Sequence, residues 1–192
     1  MILCSGYQAD SLEQYYRKKN LGLTIEFSRE QEPLGTGGAI KNACPMILSE
    51  SFFVLNGDCF SPVNFNDVLF YHQKRKTLVT IVVARIEKKN ELKDYGTIQM
   101  TPDTRIQEFL EKVERHDGSP LVNAGVYCFR RDICQRMPEK NKFSVERDVF
   151  PALIKDGIYG FEVKEFIDIG TPERYKKAQK LLTKAGSLWP EK

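Results

Sequence analysis

The sequence predicts an α/β fold in which helices flank a mostly parallel sheet and an antiparallel hairpin is inserted. Up to Ala84, short apolar runs alternate with helix-like segments, as in βαβ units. Residues 52–55 are apolar without alternation, and Thr80-Ile81-Val82-Val83-Ala84 resembles a second buried strand, as expected for strands covered on both faces. After Ala84 the rhythm changes, and two segments flank a turn at Pro102-Asp103, which is typical of a hairpin.

Local patterns place each element in order. A Ser11-Leu12-Glu13-Gln14 capping box opens the first helix, Ser144 caps a later one, and Thr171-Pro172 starts the last. We predict one domain over residues 1–186 with a loose tail at 187–192. The predicted strands are 1–5, 23–27, 52–55, 80–84, 95–100, 105–109, 121–129, 160–163 and 166–167, and the predicted helices are 11–16, 40–43, 66–74, 144–155 and 171–185.

The bulk composition excludes several classes of protein. The chain has 192 residues with 41% hydrophobic and 29% charged residues, which is ordinary for a soluble globular domain. Its net charge of +3 is spread along the chain, so it does not favour nucleic acid. We see neither an apolar run near the ~20 residues of a membrane span nor a signal peptide. We therefore predict a cytoplasmic protein without membrane or nucleic-acid partners.

The cysteines and histidines suggest no metal site. The five cysteines form no C-x-x-C pair and sit among apolar residues, so we predict buried reduced thiols. His72 and His116 have no partner at metal-ligand spacing, and we predict that both lie on the surface.

Two acidic residues follow predicted strands. Asp58 ends Asn56-Gly57-Asp58, directly after the strand at 52–55, and Asp168 precedes the last helix. Ligands of open parallel sheets sit beyond the carboxyl ends of strands, where Mg²⁺ takes a few carboxylates plus phosphate oxygens. We predict that Asp58 and Asp168 share one Mg²⁺. The alternatives are a turn-forming Asn-Gly-Asp and an Asp168 that bonds the N–H groups of the following helix.

Two further segments carry polar side chains at strand positions. Glu111-Lys112 closes the second hairpin strand, where a charged pair is either solvated or bound to a ligand. Asn123-Ala124-Gly125 interrupts an apolar strand. A glycine there marks a bulge or a close ligand approach, and the neighbouring Asn is suited to bonding sugar hydroxyls.

The stretch Glu32-Pro33-Leu34-Gly35-Thr36-Gly37-Gly38-Ala39 leads into a helix. Glycines let a backbone approach a ligand, and a helix start offers unpaired N–H groups. The stretch is neither G-x-G-x-x-G nor a P-loop. Guanine presents two adjacent donors, which suit the acceptor-only carboxylate of Glu32. A solvated Glu32 is the alternative.

Together these motifs resemble the sugar-1-phosphate nucleotidyltransferases, and within them the branch that makes GDP-activated heptose or mannose. The resemblance covers essentially the whole chain in motif order, with segments 32–39, 55–58, 95–96, 109–112, 123–125, 143–148 and 166–171. It implies a Rossmann-like sheet of the nucleotide-diphospho-sugar transferase type.

The resemblance implies a reaction and a set of roles. A sugar 1-phosphate oxygen would attack the α-phosphorus of a nucleoside triphosphate, GTP being favoured, and pyrophosphate would leave. Asp58 and Asp168 would hold Mg²⁺, and Lys112 would bind the sugar's phosphate. The sugar would be bound by Gly96, Glu111, Val122 and Asn123, and the nucleotide by Glu32, Leu34, Gly35, Thr36, Gly37, Asn56 and Gly57.

The chain departs from the family at its start. Family members begin with a strand and a G-G-x-G-T-R-L loop that wraps the triphosphate, whereas Met1-Ile2-Leu3-Cys4 matches the second strand. We expect a strand–loop–helix unit of about 40–60 residues to be missing, given the ~30-residue minimum of a βαβ unit. The strand edge exposed beside Ile2 would favour association into a homo-oligomer.

This departure leaves two hypotheses. The first is an enzyme of this family whose activity depends on the missing triphosphate loop. The second is a non-catalytic module that keeps the base and sugar-phosphate contacts as a sensor or partner subunit. An unrelated dinucleotide-binding protein is disfavoured, because neither G-x-G-x-x-G nor its acidic ribose partner is present.

Overall fold

A computed structural model describes residues 1–86, 92, 94–111 and 119–184, with side chains up to residue 180. The predicted boundary at 186 and the tail lie outside the described residues, as does His116. The strands are β1 (Ile2–Ser5), β2 (Glu26–Arg29), β3 (Ser51–Leu55), β4 (Cys59–Phe60), β5 (Val79–Arg85), β6 (Thr97–Met100), β7 (Ile106–Leu110), β8 (Leu121–Arg130), β9 (Tyr159–Val163) and β10 (Ile167–Asp168). The α-helices are α1 (Ala9–Arg17), α2 (Gly35–Ala43), α3 (Phe65–Arg75), α4 (Phe150–Leu153) and α5 (Pro172–Lys184).

The main sheet follows the predicted α/β plan. Strand β9 is parallel to β5, and β3 and β5 both run antiparallel to β8. Strands β3, β5 and β9 therefore share one direction, with β8 reversed between β3 and β5. The hairpin β6–β7 joins this sheet through β8, while β1 and β2 form a separate parallel pair. The α/β class and the antiparallel hairpin are confirmed.

Strand β5 is covered on both faces, as its continuous apolar sequence predicts. Val79, Ile81 and Val83 pack into one apolar cluster, with residues that include Phe150. Val82 and Ala84 pack into the other, with residues that include Val68 of α3. Side chains alternate between the faces of a strand, so a strand buried on both faces needs an unbroken apolar run. In contrast, β3 is only half-buried.

One edge of β8 changes partner at Gly125. Near its start β8 pairs with β6 at Val122, and from Val126 onward it pairs with β3. Gly125 has φ +69°, and its carbonyl accepts a hydrogen bond from Asn56 N–H at 2.8 Å. This break separates the ends of β3 and β6. Asn56, directly after β3, lies beside Gly125.

One helix prediction is wrong, and a second is confirmed with an irregular start. The first helix begins at Ala9 after Gln8, which has φ 54°, and Gln8 makes no side-chain cap. Ser11 therefore lies inside α1, and the capping-box prediction is wrong. Ser144 does cap the later helix, accepting from Arg147 N–H. That helix starts as a π-helical turn and continues as α4, in which Pro151 lacks the N–H that a regular ladder needs.

The prediction of five buried reduced thiols is wrong. Cys44 and Cys134 form a disulfide across 90 residues of sequence, and Cys4 is exposed. The bridge joins the residue after α2 to the turn after β8, which packing brings together. Cys128 is a buried free thiol, and burial raises its pKa to about 12.

His72 is buried in α3 rather than exposed as predicted. It is 2% exposed, and its Nδ1 bonds Thr80 Oγ1 at 2.9 Å. Burial, and then the positive charge of Arg130, lower its pKa to about 4.

This buried histidine predicts a loss of stability in mild acid. The unfolded state binds a proton near pH 6.5 and the folded state only near pH 4, so the unfolding free energy falls as pH drops through this window. The loss attributable to His72 is roughly 3 kcal/mol once pH is below 4. We expect the stability difference between the wild type and His72→Asn in urea unfolding to be larger at pH 7.5 than at pH 4. Equal differences at both pH values would contradict the assignment.

Candidate active site at the ends of β3, β8 and β10

Asp58 and Asp168 face one small space. Strand β10 pairs with β4 so that Asp168 lies opposite Cys59, and Ile169 N–H donates to the Asp58 carbonyl at 2.8 Å. A Cβ placed on Gly170 would lie 3.1 Å from Asp168 Oδ1 and 3.3 Å from Asp58 Oδ2. The antiparallel pair β4–β10 therefore brings together two carboxylates that are far apart in sequence.

Asp168 also has protein partners. Its Oδ1 accepts a hydrogen bond from Gly170 N–H at 2.6 Å, so the alternative in which it binds the chain before α5 describes part of its geometry. Its Oδ2 forms an ion pair with Arg174 Nη1 at 2.8 Å. Arg174 pairs with Asp94 as well, and it lies over the Tyr95 ring at 5.1 Å. Arg174 thus closes one side of the acidic pair.

The donor set at this position fits Mg²⁺. Two carboxylates face a common gap, and Mg²⁺ typically takes one or two protein carboxylates together with water and phosphate oxygens. Within the described ranges, no group of three or more His, Cys, Asp and Glu residues is placed to hold a metal ion. A pair of carboxylates suits a cation that takes its remaining ligands from water and substrate.

Two cavities meet at the acidic pair. One, of about 800 Å³, extends along α5 and is lined by Arg174 and Lys177. The other, of about 390 Å³, is lined by the residues beyond β3 and by β8. Both cavities share Asp58, Asp94, Tyr95 and Asp168.

The smaller cavity collects most of the predicted sugar-facing residues. Gly96, Glu111 and Asn123 line it, and Asn123 N–H donates to the Gly96 carbonyl at 2.9 Å. A Cβ on Gly96 would lie 2.6 Å from Glu111 Oε2, so this glycine allows the carboxylate to approach. Val122 is fully buried and its side chain packs in the core, although its backbone borders Asn123.

The predicted nucleotide residues divide into two groups. Asn56 and Thr36 line the smaller cavity. Glu32 is exposed in the bend before α2 and lines neither cavity. Gly57 has open space around it. Lys112 lies outside the described residues.

The glycine stretch forms the first turn of α2 rather than a free loop. Gly37 and Gly38 N–H groups both donate to the Phe143 carbonyl, at 3.0 and 3.3 Å, and Phe143 N–H donates to the Leu34 carbonyl. A Cβ on Gly35 would lie 2.7 Å from the Phe143 carbonyl oxygen. These glycines therefore let α2 pack against the segment before α4, and two of the N–H groups expected to face a ligand bind Phe143 instead.

Several site residues were missed from the sequence. Glu146 and Arg147 line the smaller cavity, and Arg174 bonds Asp168. Glu146 belongs to segment 143–148, which resembles a family motif without indicating a role for this residue. Tyr127 lies in the strand predicted at 121–129, and its hydroxyl bonds both Asn123 and Glu146. Arg174 lies six residues after Asp168, in the first turn of α5. The sequence signal for it is a helix that starts directly after an acidic strand end.

Open α/β sheets bind ligands, nucleotides among them, beyond the carboxyl ends of their strands, and Asp58 lies in that position after β3. A family model described as nucleotidyl transferase matches residues 1–185. The chain belongs to the nucleotidyl transferase family.

Named relatives lie in the sugar-phosphate branch. A mannose-1-phosphate guanylyltransferase of Mycobacterium tuberculosis is 36% identical over 159 residues, which cover 81% of this chain and 43% of that protein. A D-glycero-alpha-D-manno-heptose 1-phosphate guanylyltransferase of Aneurinibacillus thermoaerophilus is 36% identical over 184 residues, covering 95% and 77%. The chain thus spans less than half of the first relative and about three quarters of the second.

Solved structures of a similar protein superpose well on this chain. HddC from Yersinia pseudotuberculosis superposes with a TM-score of 0.81 at 32% identity, covering 94% of this chain and 77% of that one. HddC complexed with GMP-PN gives a TM-score of 0.79 at 31% identity over the same shares.

Among the residues described here, the helices are too short or too polar to cross a membrane.

Proposed function

We propose that this chain carries the site of a sugar-1-phosphate guanylyltransferase. The observation that carries the proposal is the small space shared by Asp58 and Asp168, which opens onto the cavity lined by Glu111 and Asn123. The relatives named above support a guanylyl donor and a mannose or heptose 1-phosphate acceptor.

The proposed reaction depends on positioning and charge. A phosphate oxygen of the sugar 1-phosphate attacks the α-phosphorus of GTP, the bond to the bridging oxygen breaks, and pyrophosphate leaves. Asp58 and Asp168 would hold Mg²⁺, which when bound would neutralise phosphate charge. Glu111 and Asn123 bind sugar hydroxyls, and Lys112 binds the sugar's phosphate. We also propose that the protein is cytoplasmic. We propose in addition that it associates into a homo-oligomer.

A substrate panel tests this function. GTP, ATP, UTP and dTTP are each combined with mannose, glucose and heptose 1-phosphates, and pyrophosphate and nucleotide-sugar are measured. The assay uses this chain and a version extended at its N-terminus by a strand–loop–helix unit that carries a G-G-x-G-T-R-L loop. We expect GDP-sugar formation with Mg²⁺, at least in the extended version. Binding of GDP-sugar without turnover in both versions would favour the non-catalytic module. If both versions lacked binding as well as turnover, the proposal would be contradicted.

We predict that Glu32 contributes to base choice. If its carboxylate accepts from guanine's two adjacent donors, GTP should raise the melting temperature more than UTP or dTTP does. Glu32→Gln should reduce the GTP shift, because an amide nitrogen would then face a donor. The matched control is Glu26→Gln, an exposed acid on β2. Stabilisation by UTP or dTTP but not by GTP would overturn the prediction.

A further inference from the structure

The Glu146 carboxylate is buried and held by three hydroxyl groups. Glu146 is 7% exposed. Thr36 Oγ1 and Ser144 Oγ donate to its Oε2 at 2.5 and 2.7 Å, and Tyr127 OH donates to its Oε1 at 3.2 Å. An ionised carboxylate only accepts hydrogen bonds, so each of these hydroxyls spends its single hydrogen on Glu146. Its three partners come from α2, β8 and the cap of the π-helical turn.

Because these hydroxyls donate to Glu146, they act as acceptors toward their other neighbours. Because its hydrogen is spent, Tyr127 OH can only accept from Asn123 Nδ2, at 2.8 Å. Burial first, and then the nearby charge of Glu146, raise the pKa of Tyr127 well above its ordinary value, which keeps its donor proton in place. In the same way Thr36 Oγ1 accepts from Val145 N–H at 3.0 Å. One acceptor thus orders hydroxyls on both sides of the site.

Asn123 is consequently fixed in one orientation. Its Oδ1 accepts from Gly125 N–H at 3.0 Å, and one of its two Nδ2 hydrogens goes to Tyr127. The second Nδ2 hydrogen is left for the cavity that Asn123 lines. Asn123 therefore offers a donor in that cavity. A sugar hydroxyl that accepts a hydrogen bond would match it.

We propose that Glu146 is a positioning residue, which through Tyr127 sets the Asn123 amide to donate to a sugar hydroxyl and through Thr36 anchors the start of α2. This inference rests on the proposed function and deepens it, because it names the side chain that sets sugar recognition. The location in a π-helical turn agrees, since such turns occur frequently at functional sites.

Removal of one hydroxyl tests the relay. Tyr127→Phe keeps the buried ring and deletes the link between Glu146 and Asn123. We expect it to weaken GDP-mannose binding about tenfold, as for loss of an orienting hydrogen bond, and to change GMP binding less than twofold, both by calorimetry. Tyr71→Phe is the matched control, because Tyr71 OH bonds the Gly160 carbonyl at 3.0 Å outside the site. It should change neither affinity.

A second set of variants tests the other branch. Thr36→Val removes the hydroxyl and should weaken GMP binding severalfold, whereas Thr36→Ser keeps it and should restore wild-type binding. Glu146→Gln should weaken both ligands. If that variant does not fold, Tyr127→Phe and the Thr36 pair still decide the matter.

The outcomes separate this inference from the function beneath it. Wild-type protein that binds GDP-mannose, together with Tyr127→Phe that binds it equally well, would overturn only the positioning role. An equal loss in Tyr71→Phe would also overturn it, since the effect would then follow stability. A wild type that binds neither GDP-mannose nor GMP would overturn the proposed function and this inference together.

Discussion

Replacing Asp58 by Asn is expected to lower Mg²⁺-dependent nucleotidyl transfer at least about 10³-fold, because a bound metal supplies several kcal/mol of charge stabilisation and each 1.36 kcal/mol is tenfold in rate. Asn keeps the shape of Asp58 and removes the charge that faces Asp168 across Gly170. Pyrophosphate release is measured in whichever version turns over, this chain or its extended form. Mn²⁺ affinity by electron paramagnetic resonance provides a readout that needs no turnover.

The control for this variant is Asp67→Asn. Asp67 is an exposed acid in the first turn of α3, away from both cavities. It loses the same charge and should keep Mn²⁺ binding and turnover. Near-normal pyrophosphate release by Asp58→Asn, or unchanged Mn²⁺ affinity, would refute the metal assignment.

The second large effect is expected from Gly38→Ala, which should reduce the unfolding free energy by about 2–3 kcal/mol through overpacking. The new Cβ would lie 2.2 Å from the Asn141 carbonyl oxygen and 2.8 Å from Leu34 Cβ. One of these is backbone, so relief requires α2 to move away from the segment before α4. Urea unfolding at fixed pH measures the loss.

Gly57→Ala is the matched comparison for stability. A Cβ on Gly57 meets nothing within 4 Å, and the substitution should stay within about 0.5 kcal/mol of the wild type. If both variants were equally stable, the tight contact between α2 and Asn141 would be absent in solution.

The local sequence pattern was sufficient to predict elements whose burial or turn is encoded in their own residues. The unbroken apolar run of β5 predicted a strand covered on both faces, and the Pro102-Asp103 turn predicted the β6–β7 hairpin. Period and turn chemistry are set by nearest neighbours along the chain. Element boundaries were less accurate at β2 and α1. The ends of β2 are set by its pairing with β1, and α1 begins after Gln8, whose left-handed backbone is not marked by a capping side chain.

The glycine stretch shows where local pattern was insufficient. Three glycines before a helix suggested a ligand cradle, but Gly37 and Gly38 pack against Phe143 and Asn141, about a hundred residues later. Nothing in the local sequence names that partner. The same holds for the Cys44–Cys134 bridge and for His72, whose burial depends on packing across the sheet.

By itself, the sequence determined the α/β class, the family motifs in order, and two acids at strand ends that it predicted to share one site. Only the tertiary structure decided the gap across Gly170 in which Asp58 and Asp168 meet, the closure of that gap by Arg174, and the ordering of the hydroxyls around Asn123 by Glu146. The physical reason is that hydrophobic periodicity reports burial one element at a time. A site depends instead on hydrogen bonds and charges between elements, whose register is fixed only when they pack.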